Sequence, residues 1–161
     1  MRILGLDLGN KTGWSLFDDG VITHGVWINY ESSKSRFEGA GMRYISFTDS
    51  LDRLPRPDRV YFEEVRSHRR AGQISDNVGA AQVYGAYLAI LSVWCEQKGI
   101  PYGSFGVSEI KKRATGKGNA NKELVMEAAA KISRHAFPDD NEADAFWAMI
   151  MGCEAAGIAG D

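Results

Sequence analysis

The first 28 residues constrain the fold of this chain more than any other segment. Residues 2–8 form a short apolar run typical of a buried strand, and Gly9-Asn10 is a turn signal. Residues 13–18 and 21–28 predict two further strands. They are joined at Asp18-Asp19-Gly20, and Asp-Gly is a strong hairpin signal. The chain is therefore expected to begin with a three-stranded antiparallel meander.

Helices and strands alternate after the meander. Apolar residues at helical spacing predict a helix over 34–54, which Pro55 ends. The further predicted elements are a strand over 59–65, a loop over 66–74, a helix over 75–98, a strand over 101–105, a helical turn over 107–113, a loop over 114–120, and helices over 122–134 and 139–156. Because a strand that follows a crossover helix lies parallel to its predecessor, we predict an α/β domain. Its mixed five-stranded sheet would have three antiparallel strands, then two parallel ones, flanked by helices.

The predicted helix over 75–98 carries apolar residues on more than one face, so we expect it to be buried on several sides. Gly79 and Gly85 lie within it, although glycine costs about 1 kcal/mol relative to alanine in a helix. Close approach of another backbone would explain both glycines; chance is the alternative.

Composition predicts one soluble globular domain over residues 1–161, with 44% apolar and 25% charged residues. No apolar run approaches the roughly 20 residues of a membrane helix, and Asp7 comes too early for a signal peptide. Cys95 and Cys153 are too few for a disulfide framework and are expected to be reduced core thiols. We therefore expect a cytoplasmic protein with no membrane partner.

The charge is segregated along the chain, although the net charge is only −2. Residues 139–161 hold six acids and no Lys or Arg, which leaves 19 basic and 15 acidic residues in 1–138. This distribution suits an enzyme that holds polyanions near a metal better than a plain DNA-binding module, which is usually strongly basic.

Acidic residues stand near the ends of two predicted strands. Asp7 follows the first apolar run, where a buried acid is costly unless it is paired, binds metal or caps the following turn. Glu63 and Glu64 follow Val60-Tyr61-Phe62, and strand alternation directs them to opposite faces. Only one of the two glutamates can therefore join Asp7, and the other is solvated or paired.

A third acidic group opens the last predicted helix. Asp140 and Asp144 are four residues apart and Asn141 and Asp144 three, so each pair shares a helix face, whereas Glu142 points elsewhere. A solvated acidic first turn is the alternative. Acids from three separate elements provide only oxygen ligands and suit Mg²⁺ or Mn²⁺ rather than zinc. Two such ions can activate a water and hold the leaving oxygen of a phosphodiester.

Basic residues cluster in two segments that each follow a strand end, either as a solvated surface or as contacts to DNA phosphates beside the acids. They are Arg66, His68, Arg69 and Arg70, and then Lys111, Lys112, Arg113, Lys117 and Lys122. The three histidines are scattered, and we interpret none as a metal ligand. The four tryptophans are expected in the core.

These residues together resemble the RuvC-type Holliday-junction resolvases of the ribonuclease-H-like superfamily over about residues 2–155. The similar segments are Ile3-Leu4-Gly5-Leu6-Asp7-Leu8-Gly9, Thr12-Gly13-Trp14, Phe62-Glu63-Glu64-Val65, Gly79-Ala80-Ala81-Gln82-Val83-Tyr84-Gly85, Ser108-Glu109-Ile110-Lys111, Asn121-Lys122 and Asn141-Glu142-Ala143-Asp144-Ala145. A Gly-x-Asp-x-Gly strand and turn also opens actin-like ATPases, but 161 residues cannot hold the two domains of that fold.

The resemblance implies that Asp7, Glu63 and Asp144 are catalytic metal ligands, and that Lys111 and Lys122 lie beside the DNA backbone. Where the family often has an acid or histidine, this chain has Asn141; either Asn141 or, as we prefer, Asp140 supplies the fourth ligand. Arg66 replaces an aromatic residue that probes the junction in the bacterial enzymes. Junction opening or sequence preference is therefore expected to differ here.

The resemblance thus implies a homodimeric endonuclease that uses two Mg²⁺ or Mn²⁺ ions to cut four-way junctions symmetrically, leaving 5′-phosphate and 3′-hydroxyl ends. The predicted DNA contacts are Arg66, Arg69, Arg70, Lys111, Lys112, Lys117 and Lys122, with Lys122 also catalytic, and the helix over 75–98 is the candidate dimer interface. Two alternatives remain: a nuclease of the same fold for forks, flaps and other branched DNA, and a non-catalytic junction-binding protein.

Overall fold

A computed structural model describes residues 1–30, 40–65 and 78–158. Its elements are β1 (Arg2–Asp7), β2 (Lys11–Asp18), β3 (Val21–Ile28), α1 (Met42–Arg53), β4 (Arg59–Glu64), α2 (Val78–Lys98), β5 (Tyr102–Gly106), α3 (Val107–Thr115), α4 (Lys122–Ser133) and α5 (Asp140–Ala155). The predicted order of strands and helices is confirmed.

The five strands form one sheet in the order β3-β2-β1-β4-β5. β1, β2 and β3 are antiparallel neighbours, and β4 lies parallel to both β1 and β5. Asp19 and Gly20 both have positive φ, the conformation that two-residue hairpin turns favour. The predicted mixed sheet, with its antiparallel meander and parallel second part, is confirmed.

Several element boundaries differ from the prediction. α1 begins at Met42; residues 40–41 are not helical, and 34–39 lie outside the described residues, as do 75–77 before α2. β2 begins two residues early, at Lys11, because Lys11 pairs with Ile28. α3 continues to Thr115, and Gly116 in the left-handed conformation then ends it.

Helices cover both faces of the sheet because strand side chains alternate between them. Leu4, Leu6 and Phe62 pack with residues of α1 and α2, whereas Ile3 packs on the other face with residues of α3, α4 and α5. The tryptophans join these two clusters: Trp94 and Trp147 are buried, and the half-buried Trp14 and Trp27 pack against the α1–α2 side.

α5 lies against the strands without intervening side chains at two points. A Cβ atom added to Gly5 of β1 would stand 2.2 Å from the Ala145 carbonyl oxygen, and one added to Gly13 of β2 would stand 1.9 Å from that of Asn141. Only glycine permits this separation between helix and sheet. The first half of α5 is thereby fixed against the ends of β1 and β2.

α2 differs from the expectation of burial on several sides. Tyr87, Leu91 and Trp94 form one buried face, while the opposite face is exposed. No described atom lies within 4 Å of a Cβ added at Gly79 or Gly85, so no close approach from the described part of the chain explains these glycines. The face of α2 opposite Tyr87, Leu91 and Trp94 is therefore exposed and carries small residues.

Both cysteines are buried and free, as predicted. Within the described ranges, none of the helices combines the length and apolarity needed to cross a bilayer.

Candidate active site

The site lies at the carboxyl ends of β1 and β4, where α5 begins. Asp7 is the last residue of β1, Glu63 is the penultimate residue of β4, and the register aligns Leu6 with Phe62, so the two acids are neighbours. A pocket of about 230 Å³ opens there, and its lining residues are Asp7, Glu63, Val107, Lys111, Lys122, Val125, Met126, Asp140, Asn141 and Asp144. Every carboxylate that the sequence assigned to the site therefore lines one pocket.

Burial and mutual repulsion raise the pKa values of three of these acids. Burial and the charges of Glu63 and Asp144 raise the pKa of Asp7 well above its usual value. Burial and Asp144 raise the pKa of Glu63 to about 7. Burial and Asp140 raise the pKa of Asp144 to about 6. A cation that enters the pocket would stabilise the ionised form of these acids.

Glu64 turns away from this pocket, as strand alternation predicts. Its carboxylate accepts a hydrogen bond from the Ser104 hydroxyl at 3.3 Å and borders a second groove beside α3. Glu63 is consequently the acid of β4 that reaches Asp7, and the residue is 8% exposed.

Two of the predicted basic residues reach the pocket. Lys111 of α3 and Lys122 of α4 line it, and the Lys122 ammonium forms an ion pair with Asp140. Lys112 and Lys117 are exposed on α3 and the loop after it, and do not line the pocket. Arg66, His68, Arg69 and Arg70 lie outside the described residues.

A contact that the sequence did not reveal holds Asn141. Asp139, the residue before α5, accepts hydrogen bonds from the Asn141 backbone amide and side-chain Nδ2, both at 3.0 Å, and forms an ion pair with Lys11. An ionised carboxylate can only accept, so the Asn141 amide nitrogen faces Asp139, and Asn141 also lines the pocket. Lys11 and Asp139 are 128 residues apart, and no periodic pattern links them.

Glu142 points elsewhere, as predicted, and anchors α5 to β3. Its side chain is 8% exposed, and Oε1 lies 2.6 Å from Nδ1 of His24. The His24 ring stacks on Phe137 with 4.7 Å between ring centroids. This buried contact, also unforeseen from the sequence, fixes the helix turn that carries Asp140 and Asn141.

The pocket carboxylates do not form a ready-made metal cluster. Within residues 1–30, 40–65 and 78–158, no three His, Cys, Asp or Glu side chains are grouped closely enough to hold a metal ion as they stand. Burial and the neighbouring carboxylates both disfavour the ionised forms of Asp7 and Glu63, and thus oppose a closer grouping of charged acids without a cation.

Comparisons with known proteins agree with the fold and with the residue pattern. The chain is 30% identical to the crossover junction endodeoxyribonuclease RuvC of Gloeobacter violaceus over 160 residues, which cover 94% of this chain and 87% of that protein. It is 32% identical to the enzyme of the same name from Ehrlichia chaffeensis over 139 residues, 82% of each chain. No family model matches the chain.

Among solved structures, Thermus thermophilus RuvC in complex with a Holliday junction substrate has a similar fold. The TM-score is 0.70 at 23% sequence identity, and the match covers 99% of this chain and 98% of that one. This likeness confirms the expected ribonuclease-H-like fold.

The raised pKa values predict how stability depends on pH in the absence of metal. Because Glu63 binds its proton more tightly in the folded state, its ionisation costs stability as pH rises from about 4.5 to about 7. Glu63→Gln should therefore be more stable than wild type at pH 8, by on the order of 1–3 kcal/mol, with the difference shrinking at pH 4.

Urea unfolding in EDTA at the two pH values measures this difference. Glu127→Gln, on the exposed face of α4, is the control and should show no such pH-dependent gain. Equal stability of Glu63→Gln and wild type at pH 8 would contradict the unfavourable burial and charge repulsion described for Glu63.

Proposed function

The chain belongs to the RuvC family of crossover junction endodeoxyribonucleases, and from this membership we propose that it cuts four-way DNA junctions by cation-dependent phosphodiester hydrolysis. The observation that carries the proposal is the convergence of Asp7, Glu63 and Asp144, from three separate elements, with two lysines in one pocket. The protein would act in the cytoplasm.

The donor set fits Mg²⁺ or Mn²⁺. Asp7, Glu63 and Asp144 offer only carboxylate oxygens, the ligands that these ions prefer, and a cation between them would offset the burial and the mutual repulsion that raise their pKa values. When bound, a pair of such ions supplies charge neutralisation and promotes deprotonation of water. We assign the holding of both ions to these three residues, with a fourth oxygen from the start of α5.

The lysines would act on the phosphate. Lys111 and Lys122 reach the pocket from α3 and α4 and can stabilise the negative charge that grows on the phosphate during hydrolysis. Lys112 and Lys117, together with Arg66, Arg69 and Arg70, would bind neighbouring phosphates, so affinity should fall with salt.

Asn141 is our candidate for the fourth oxygen, and Asp140 would instead orient Lys122. The Asn141 amide nitrogen is held by Asp139, which leaves its oxygen for the pocket, whereas the Asp140 carboxylate is paired with Lys122. The sequence alone favoured Asp140. The contacts of the two side chains support the exchange of roles.

A two-fold homodimer would supply two active sites for two symmetric cuts. The exposed face of α2 carries residues spaced three or four apart, Gln82, Gly85, Ala89, Val93 and Glu96, and Val93 is 53% exposed. Small residues allow two helices to approach closely, which would account for Gly85. We therefore propose this face as the dimer contact.

Cleavage of a synthetic four-way junction tests the function. The wild type should cut it in Mg²⁺ or Mn²⁺ and leave linear duplex intact, and Asp7→Asn should lower the rate more than about 100-fold. Asp49→Asn, exposed on α1, is the control and should cut as wild type does. Equal cleavage of forks and flaps would identify a broader branched-DNA nuclease, whereas binding without cleavage in Mn²⁺ would identify a non-catalytic junction-binding protein.

Manganese binding without DNA tests the fourth ligand. Asn141→Ala should weaken Mn²⁺ affinity about 10-fold in titration calorimetry, because an oxygen is lost, while Asp140→Asn should change it little. Both substitutions are small and lie at the start of α5, so each serves as a control for the other. The reverse result would return the ligand role to Asp140.

Sedimentation at micromolar protein tests the dimer. Ala89→Arg should be monomeric, since it places a long charged side chain on the proposed contact, whereas Thr23→Arg, on the exposed edge of β3, should stay dimeric. A monomeric wild type, or a dimeric Ala89→Arg, would contradict the assignment of the α2 face.

A further inference from the structure

β4 extends beyond its pairing with β1, because the pairing ends at Phe62 and β4 ends at Glu64. Val60 donates its amide to the Pro101 carbonyl on the β5 side at 3.0 Å, so two-residue alternation directs the backbone groups of Glu63 and Val65 toward β1. The β1–β4 pairing ends at Leu6 and Phe62. Within the described part of the chain, no strand therefore pairs with the Glu63 carbonyl and the Val65 amide.

Tyr84 of α2 occupies that place. Its hydroxyl donates to the Glu63 carbonyl oxygen at 3.1 Å and accepts from the Val65 amide at 3.4 Å. One hydroxyl thus provides both the donor and the acceptor that a continuing strand would have offered.

A second tyrosine on the same face of α2 binds the other catalytic strand end. Tyr87 is three residues further along and fully buried, and its hydroxyl donates to Oδ1 of Asn10 at 3.2 Å, in the turn that follows Asp7. α2 is therefore hydrogen-bonded to the ends of both strands that carry pocket acids.

We propose that Tyr84 is a positioning residue for Glu63. Its hydroxyl fixes the last backbone units of β4, and with them the direction in which the Glu63 carboxylate enters the pocket. The inference rests on the role of Glu63 in the proposed function. Because the exposed side of α2 is the proposed dimer contact, Tyr84 also connects the helix that would meet the second subunit to a catalytic strand.

Tyr84→Phe tests this assignment, since it removes one oxygen and keeps the ring. We expect kcat for junction cleavage to fall about 10-fold with little change in KM, and Mn²⁺ affinity in the DNA-free protein to fall by a similar factor. Amide hydrogen exchange at Val65 should become faster, because its acceptor is lost. Thr48→Val is the control: its hydroxyl donates to the Tyr44 carbonyl oxygen at 3.1 Å within α1, and its loss should change none of the three measurements.

A wild-type level of Mn²⁺ affinity and of kcat in Tyr84→Phe would overturn the positioning role, even if the variant is slightly less stable. Unchanged exchange at Val65 would overturn the hydrogen bond itself. If the wild type neither binds Mn²⁺ nor cuts DNA, the proposed function fails and the role in catalysis fails with it. The exchange measurement separates that outcome from a failure of the Tyr84 contact.

Discussion

Repulsion among buried carboxylates is the constraint on which the rest of this structure depends. Burial and the neighbouring negative charges raise the pKa values of Asp7, Glu63 and Asp144, so bringing these carboxylates together in their ionised form is unfavourable. The packing of α5 supplies the opposing free energy. Phe146, Trp147 and Met149 are fully buried beside the acids on this helix, and each contributes on the order of 2 kcal/mol by leaving water. The core thus stabilises a charge arrangement that would not assemble by itself.

The direction of α5 matters as much as its burial. Gly5 and Gly13 let the helix backbone touch β1 and β2, and the buried contact of Glu142 with His24 fixes its first turn from the side of β3. Three strands therefore determine where Asp144 stands. A larger side chain at either glycine would lift the helix end and move Asp144 away from Glu63, so these glycines belong to the site as much as to the core.

Local periodicity predicted those parts of the site that depend on one element at a time. Strand alternation separated Glu63 from Glu64, and helical spacing placed Asp140 and Asp144 on one face, because both patterns follow from backbone geometry. Contacts across the fold left no such signal. His24 and Glu142 are 118 residues apart, and Tyr84 reaches Glu63 only because α2 crosses behind β4. The exposed side of α2 was missed for the same reason: an apolar sequence does not say which neighbours a helix will have.

The neighbouring Asp139, and not the pocket alone, explains why residue 141 has an amide side chain. Asp139 begins α5 by accepting from the Asn141 backbone amide, and its same oxygen also accepts from the Asn141 side chain. An aspartate at 141 could not donate to Asp139 and would add a fifth negative charge to a helix turn that already carries Asp139, Asp140, Glu142 and Asp144. Asparagine donates to Asp139 and lines the pocket without adding a charge. Asp139, the N-cap of α5, therefore favours a neutral, hydrogen-bond-donating side chain at residue 141.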